Sequence, residues 1–310
     1  MLLNLVKAFK KMKKRILITG ANGMVAKHLA NLLAPSHEVR FLTRKVRSEN
    51  EFLWDLSKNY IDPKALQGIN VIIHLAGASI ADGRWTEKRK QQILSSRVES
   101  AKLILAKLIE HQIVLDAFVS ASGTGYYGAE TSDKVYDEQS SKGNDFLSDV
   151  CEGWENVAYT FKNSAKAKKV AVIRTGIVLA KEEGALNKIA QPIKFGFGAP
   201  IGSGKQYVPW IHIDDLCEIY KFVVENENIE GTYNAVAPMH IDNEQMTKTI
   251  ANVVKRPLIL PNIPNFVMKL LFGEMSIILL EGSKVSSDKI QKDGFNFKYH
   301  TFIEAARNLL

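Results

Sequence analysis

Short apolar runs alternate with helical patterns through the first half of this chain, and no other feature restricts its fold as strongly. Four runs containing Val, Ile, Leu or Phe are RILITG (15–20), HEVRFLTR (37–44), NVIIHLAG (70–77) and LDAFVSASG (115–123). Apolar strands separated by helices are typical of a parallel sheet with helices on both faces. The alternation therefore predicts the α/β class, with a Rossmann-type doubly wound parallel sheet.

Helical segments separate these runs. MVAKHLANLLA (24–34) follows the first strand, and the segment 87–110 carries apolar residues at helical spacing. A further helix is predicted over NDFLSDVCEGWENV (144–157), followed by one strand over KVAVIRTGIVL (169–179). These elements complete the predicted sheet.

The sequence changes in character after Leu179. KFGFGAPIGSGKQYVPW (194–210) is rich in Gly and Pro and predicts an irregular loop. HIDDLCEIYKFVVEN (212–226) predicts a helix, and GTYNAVAP (231–238) predicts a short strand. The remainder is predicted to be mainly helical, interrupted by prolines.

Two structural units follow from this organisation. A Rossmann domain is predicted over residues 13–180 and 212–236. A small C-terminal α-rich lobe, formed by residues 181–211 and 237–310, is expected to lie over the carboxyl edge of the sheet. Residues 1–12 form an N-terminal extension ahead of the first strand.

The basic character of the chain is concentrated near its start. The net charge is +8, and the densest cluster is KAFKKMKKR (7–15). No element carries basic residues in a known docking motif, so we expect no nucleic-acid partner. The stretch 1–15 is too short and too charged to span a bilayer. We expect a loosely ordered extension without stable membrane association, with a small interfacial helix as the alternative.

Two cysteines, Cys151 and Cys217, lie far apart without a CxxC pattern or a Cys/His cluster. This spacing is typical of reduced thiols in an intracellular protein, and it fits neither a disulfide nor a zinc site. We therefore expect a cytoplasmic protein without a metal site.

The segment TGANGMVA (19–26) lies where the first strand passes into the first helix. Gly20 permits a sharp turn, Gly23 lets backbone amides approach an anion, and Ala26 is small enough for close packing of helix on strand. A pyrophosphate would then lie at the positive end of the helix dipole. The pattern predicts a dinucleotide site whose backbone contacts extend to Asn22, Met24 and Val25.

Arg44 follows the second strand, where a site that prefers NAD usually has an acidic residue for the ribose 2′-hydroxyl. A guanidinium at this position suits a 2′-phosphate. We therefore predict NADP(H) as the cofactor, with NAD(H) the weaker expectation. The alternative is that Arg44 is only a surface cation.

Several longer segments carry a family resemblance. They are RWTEKRKQQILSSRVES (84–100), SASGTGYYG (120–128), FLSDVCEGWE (146–155) and IGSGKQYVPWIHIDDL (201–216). Together with TGANGMVA and HLAG, they resemble the atypical extended short-chain dehydrogenase/reductase family known as nucleoside-diphosphate-sugar epimerase-like. The tail, about 257–305, is similar to the C-terminal domain of unknown function of that family.

The resemblance implies further contacts around the predicted cofactor. Leu75, Ala76 and Gly77 would line the nicotinamide-side ribose. The substrate, a nucleotide-sugar or another carbonyl compound, would lie between the sheet edge and the small lobe. The residues proposed to meet it are Arg84, Trp85, Gln206 and Trp210. By analogy with related reductases, a homodimer would form through helices near 87–110 and 145–165.

The wider superfamily uses a serine, a tyrosine and a lysine four residues after the tyrosine. The tyrosine exchanges a proton as hydride moves, while the lysine lowers the pKa of the phenol and holds the ribose. Aligned through Glu155, the tyrosine and lysine positions of this chain hold Leu147 and Cys151. With Trp154 and Ala158 these residues form an apolar stripe, so we expect core packing and a thiol of raised pKa.

Other residues could replace the missing acid. Ser122 lies near the superfamily serine position, with Ser120 as the rival, and Tyr127 could donate a proton. The alternative for Tyr127 is that it braces a loop. An exposed Arg84–Trp85 pair at the start of a helix could clamp an anionic or planar substrate. The alternative is that Trp85 anchors the loop and that Arg97 is paired inside the fold. His212 is expected to cap and pack a helix.

Two functions remain open from the sequence. The first is an NADP(H)-dependent oxidoreductase or epimerase-like enzyme whose proton donor is Tyr127 or a water held by Ser122. The second is a non-catalytic NADP(H)-binding sensor or scaffold. A phosphate cradle without the Tyr/Lys pair is compatible with both, while an elaborate second lobe favours a substrate.

Overall fold

Twelve strands lie in the part of the chain that this computed structural model describes, residues 13–181 and 184–310. The extension 1–12 lies outside the described residues. In chain order the strands are β1 (Arg15–Thr19), β2 (Glu38–Thr43), β3 (Glu51–Asp55), β4 (Tyr60–Ile61), β5 (Val71–His74), β6 (Leu115–Gly123), β7 (Val135–Tyr136), β8 (Ala167–Thr175), β9 (Ile177–Leu179), β10 (Trp210–His212), β11 (Gly231–Ala235) and β12 (Lys284–Val285).

Eight of these described strands form one sheet in the order β11-β8-β6-β5-β1-β2-β3-β4. All neighbours are parallel except the pair β3–β4. The order runs in opposite directions from the boundary between β1 and β5, which makes that boundary the topological switch point. The predicted Rossmann-type doubly wound sheet is confirmed.

The main sheet is accompanied by eleven α-helices in the described residues. They are α1 (Met24–Leu33), α2 (Pro63–Leu66), α3 (Glu87–Glu110), α4 (Phe146–Asn163), α5 (Ala185–Lys194), α6 (Ile213–Glu225), α7 (Asn243–Val253), α8 (Asn265–Phe272), α9 (Ile277–Leu280), α10 (Asp288–Lys292) and α11 (Phe302–Leu309). Helices α1 and α6 bury apolar residues against one face, and α3 and α4 against the other. The central strands are apolar on both sides because each side chain meets a helix.

Helix starts follow local sequence signals. The side chain of Asp145 accepts a hydrogen bond from the Ser148 amide at 2.9 Å, and Ser148 Oγ accepts one from the Asp145 amide at 3.0 Å. This reciprocal capping box starts α4. Thr86 caps α3 in a similar way, through the Arg89 amide at 3.2 Å. These two helices begin where the sequence predicted them.

The predicted single strand over 169–179 is wrong in one respect, because the chain breaks it at Gly176 into β8 and β9. A β carbon at Gly176 would lie 2.5 Å from the carbonyl oxygen of Pro209. The Ile177 amide donates to the same oxygen at 2.7 Å. The chain thus leaves the main sheet and pairs β9 with β10.

Two regions of regular structure were absent from the sequence-based expectations. The segment after β2 adds β3, β4 and α2 at the sheet edge, and α5 lies before the Gly-rich loop. Asp62 starts α2 by accepting a hydrogen bond from the Lys64 amide at 2.9 Å. These elements are short, which makes their periodicity hard to detect.

The C-terminal segment contributes to two cores. Phe295 and Phe297 join the cluster beneath the main sheet, whereas Phe302 packs with Ile250 of α7 in a separate cluster. Asp215, in the first turn of α6, accepts the amides of Lys298 and Tyr299 at 2.8 and 3.0 Å. The predicted boundaries between Rossmann domain and lobe stay a prediction.

In the described part of the chain, no helix has both the length and the apolar character needed to cross a bilayer.

Gly176→Ala is expected to lower the free energy of unfolding by about 1–3 kcal/mol, because the new methyl group would overlap the backbone at Pro209. Gly123→Ala is the control, since the nearest atom to its β carbon lies 3.6 Å away. We expect a change below about 1 kcal/mol there. Denaturant unfolding of both variants measures the difference, and equal losses would contradict the role of Gly176.

Candidate functional site

The turn after β1 lies close to the turn after β5. Gly20 has a φ of +79°, and a β carbon there would be 3.3 Å from the amide nitrogen of Ala76 and from the carbonyl of Leu75. The Gly23 amide donates to the Gly20 carbonyl at 2.8 Å. A side chain at Gly20 would therefore force apart the two turns, which accounts for glycine at this position.

Gly23 is the N-cap residue of helix α1 and provides no side-chain cap, and the first turn of the helix contains no acidic residue. The first-turn amides of a helix lack partners within the helix. Together with the narrow glycine turn, these amides and the helix dipole form a cradle that fits a pyrophosphate. Asn22 lies in this glycine turn and Met24 and Val25 in the first turn of α1, and their contact with a cofactor stays a prediction.

Thr19 holds the two turns together. Its Oγ1 accepts hydrogen bonds from the amides of Leu75 and Ala76 at 3.0 and 2.9 Å, and it lies 3.0 Å from His74 Nδ1. With both acceptor positions used, the hydroxyl donates to the imidazole. Burial lowers the pKa of His74 to about 4, so the ring is neutral and can accept. On its other side, His74 Nε2 contacts the Ser100 hydroxyl at 3.2 Å.

Cations cluster beyond β2. Arg44 is exposed directly after the strand, with Lys45 beside it. Arg47 reaches back to the glycine turn, where its Nη1 lies 3.4 Å from Oδ1 of Asn22. Arg47 was not among the predicted site residues, although the basic run RKVR (44–47) was a usable signal. The three side chains make this end of the cradle suited to a phosphate.

Ser122 lies at the carboxyl end of β6 and belongs to a buried ionic network. Its hydroxyl donates to Glu155 Oε1 at 2.7 Å. Arg174 of β8 donates to both oxygens of the same carboxylate, at 2.8 and 2.7 Å. All three residues are at least 95% buried. This bidentate pair holds α4 against β6 and β8 at the site edge.

Tyr127 continues this network away from the sheet. Its hydroxyl donates to Asn234 Oδ1 at 2.6 Å and accepts from Arg174 Nη1 at 3.1 Å. The Asn234 amide group in turn donates to the carbonyl of Ser286 at 3.0 Å. Burial raises the pKa of Tyr127 to about 12. This geometry favours the bracing role over proton donation, and the catalytic role of Tyr127 stays a prediction.

Leu147 and Cys151 face the turn after β6. A β carbon at Gly125 would lie 3.2 Å from Cβ of Leu147, and one at Gly123 would lie 3.6 Å from the Cys151 sulfur. Burial raises the pKa of the Cys151 thiol to about 11, so it is neutral. Residues 147 and 151 of α4 thus carry neither an acid nor an amine, and their correspondence to the tyrosine and lysine of the superfamily stays a prediction.

Two residues proposed to contact substrate lie on the loop before α3. Of the two alternatives for Trp85, its burial favours anchoring of the loop over an exposed pair with Arg84, because the side chain is 7% exposed. Its Nε1 donates to the Ile80 carbonyl at 2.8 Å, and its ring packs edge-on against Phe146. Arg84 is exposed and donates to the carbonyl of Leu270, joining the loop to α8.

The other two proposed substrate contacts are also engaged in the fold. Gln206 Nε2 donates to the carbonyls of Ile201 and Leu279, both at 2.9 Å. Trp210 is 1% exposed and donates to the Met239 carbonyl at 3.3 Å. Both side chains organise the lobe, and their contact with substrate stays a prediction.

His212 caps α6, as expected. Its Nδ1 accepts the Asp214 amide at 3.0 Å, and its ring stacks on Tyr299 at 3.7 Å. Burial lowers the pKa of His212. Within residues 13–181 and 184–310, no group of three His, Cys, Asp or Glu side chains is placed to hold a metal ion.

Glu155→Ala is expected to lower the free energy of unfolding by about 3–5 kcal/mol, because it leaves Arg174 buried without a counter-ion. Glu152→Ala on the same helix removes an exposed ion pair with Lys142 and is expected to cost about 0–1 kcal/mol. Denaturant unfolding compares the two variants. Similar losses would show that the Glu155–Arg174 pair is not special.

Both the N-terminal and the C-terminal parts of the chain match known protein families. A family model described as the NAD dependent epimerase/dehydratase family matches residues 16–146, and one described as a domain of unknown function (DUF1731) matches residues 263–309. Epimerase family protein YfhF of Bacillus subtilis is 34% identical over 289 residues, covering 92% of this chain and 94% of that protein. A chloroplastic SDR39U1 homolog of Arabidopsis thaliana is 33% identical, covering 97% and 88%.

Solved structures show the same architecture. Human epimerase family protein SDR39U1, solved with NADPH, has a TM-score of 0.84 at 29% identity, covering 95% of this chain and 98% of that one. A nucleoside-diphosphate sugar epimerase from Corynebacterium glutamicum has a TM-score of 0.77 at 28% identity, covering 97% and 59%. The extent of these matches means that this chain belongs to the epimerase family of extended short-chain dehydrogenase/reductase-like proteins, with a C-terminal DUF1731 domain.

Proposed function

We propose that the chain binds NADP(H) along the carboxyl edge of the sheet. The observation that carries this proposal is the close approach of Gly20 to the turn at Ala76, beside the uncapped start of α1. The pyrophosphate would lie on the amides of residues 20–25. Arg44, assisted by Arg47, would bind the 2′-phosphate of adenosine. The NADPH found in the human relative supports this choice of cofactor.

The sheet order gives the direction of the cofactor. The cations lie beyond β2, on one side of the glycine turn, and β5 and β6 lie on its other side. The nicotinamide would therefore extend over Ala76 and Gly77 towards Ser122. Bound there, the cofactor supplies hydride exchange.

We propose an oxidoreductase or epimerase-like activity on a nucleotide-sugar or another carbonyl compound. Ser122 is the residue best placed to hold the substrate oxygen or a water at the carboxyl end of β6. Its own proton is directed to Glu155, so its oxygen can still accept a hydrogen bond. Tyr127 could exchange a proton only after its hydroxyl leaves Asn234.

A second candidate is a non-catalytic NADP(H)-binding sensor or scaffold. The observation that favours it is the chemistry around Ser122. Leu147 and Cys151 present no group that transfers protons at neutral pH, and the Tyr127 hydroxyl is already hydrogen-bonded. A protein of this kind would bind the cofactor without turnover.

We also propose that the protein acts on a small-molecule substrate, forms a homodimer and is located in the cytoplasm. The reason for the last is that both cysteines are buried and free, which suits a reducing compartment.

Calorimetry is expected to show binding of NADPH that is tighter than binding of NADH. Arg44→Ala should weaken NADPH binding about 10- to 100-fold and leave NADH unaffected, because a charged hydrogen bond contributes about 1.5–3 kcal/mol. Lys58→Ala, which removes a cation that is 78% exposed, is the charge control. Heat from neither nucleotide would reject the cofactor proposal.

In assays with NADPH and a panel of carbonyl compounds, Ser122→Ala is expected to lower kcat by about 10²-fold or more. Loss of a group that assists proton transfer at a reacting oxygen has an effect of this size. Tyr127→Phe should lower kcat less than about tenfold, because its hydroxyl braces Asn234. Thermal unfolding of each variant separates catalysis from stability. A larger loss of kcat in Tyr127→Phe than in Ser122→Ala would identify Tyr127 as the proton donor. Binding of NADPH by the wild type without turnover would support the sensor function.

A further inference from the structure

Arg97 occupies an unusual position for a cation. It lies on α3 with 8% of its surface exposed, beneath the turn that follows β5. A β carbon on Gly77 would lie 2.9 Å from the Cζ atom of Arg97. On its other side, the guanidinium lies 4.8 Å from the ring centroid of Trp154. The glycine is thus required to leave space for the guanidinium.

This guanidinium has no acidic partner among residues 13–181 and 184–310. Only Nη1 is engaged, donating to the carbonyls of Ala78 at 3.0 Å and Ile93 at 2.8 Å. Nε and Nη2 have no hydrogen-bond acceptor in the described part of the chain, and neither is sealed from solvent. Burial lowers the pKa of Arg97 only to about 10, so the group is charged at neutral pH.

A buried cation without a counter-ion is costly, and the fold retains it beside the proposed cofactor site. Gly77 follows β5 at the switch point of the sheet, where ligands of such folds bind. The Cys151 sulfur lies at the turn after β6, 3.6 Å from where a β carbon on Gly123 would be, and Trp154 on the same helix contacts the guanidinium. The two unpaired N–H groups are therefore available to a ligand that extends from the glycine turn over Gly77.

Resting on the proposed NADP(H) site, we propose that Arg97 binds the nicotinamide-side ribose through Nε and Nη2. Two N–H groups of a planar guanidinium match two adjacent hydroxyl oxygens. The cation lies over Trp154, three residues after Cys151 on α4, and the resemblance to the superfamily would place the lysine at Cys151. A side chain from α3 takes over a contact that α4 does not provide.

Calorimetry with three probes tests this assignment. NADPH and 2′-phospho-ADP-ribose both contain the second ribose, whereas 2′,5′-ADP lacks it. Arg97→Met should weaken binding of the first two about 10- to 100-fold, and binding of 2′,5′-ADP by no more than about twofold. Arg97→Lys, which keeps the charge but loses the planar pair of donors, should give an intermediate loss for the same two probes.

A matched control is Lys102→Met, which removes an exposed cation from the same helix and should change none of the three affinities. Far-ultraviolet circular dichroism and thermal unfolding check the fold of each variant. If Arg97→Met does not fold, the affinities of Arg97→Lys for the same three probes test the ribose contact instead.

Three outcomes would overturn the proposal. Equal weakening of all three probes would mean that Arg97 only supports the fold. Unchanged affinities would mean that it makes no contact, and weakening of NADPH alone would place the contact at the nicotinamide ring. Failure of the wild type to bind any probe would instead reject the proposed function, which is a distinguishable result.

Discussion

The hydroxyl of Thr19 joins the two strand ends on which the site depends. It accepts the amides of Leu75 and Ala76, and it lies 3.0 Å from the neutral His74 ring. These bonds fix the turn after β1 against the turn after β5 at the switch point of the sheet. Gly20 then lies so close to the neighbouring backbone that a β carbon added to it would be 3.3 Å from backbone atoms of Leu75 and Ala76. The turn after β1 is thus hydrogen-bonded through Thr19 to the turn after β5 and to His74.

A second constraint comes from the buried pair of Glu155 and Arg174. Arg174 and Glu155 form a bidentate ionic contact in a region where buried side chains usually make apolar contacts. The same carboxylate positions Ser122 by accepting its hydroxyl hydrogen bond. Such pairs add little net stability but penalise any arrangement that separates the charges. The network continues through Tyr127 to Asn234, so hydrogen bonds join the ends of β8 and β11 to the segment at Ser286. The site is therefore supported by polar bonds in a region where the superfamily pattern would have a tyrosine and a lysine.

Local sequence patterns were sufficient for the fold class, most strands of the main sheet, and the glycine turn. The reason is that strand periodicity, helix capping and the steric demands at Gly20 act within a few residues. The same reasoning failed at Gly176, because the carbonyl that excludes a side chain there belongs to Pro209. Nor did it decide whether Trp85 is exposed beside Arg84 or anchors the loop, because Phe146 covers its ring only in the folded chain.

The sequence by itself determined a glycine turn before an uncapped helix, a cation after β2, and an apolar residue and a thiol at positions 147 and 151. Each of these depends only on residue type and on position relative to one strand or helix. Only the tertiary structure decided that Tyr127 is hydrogen-bonded and that Arg97 lies beneath Gly77 without an acidic partner. Those facts depend on side chains brought together from distant segments, and burial and pairing are properties of that assembly.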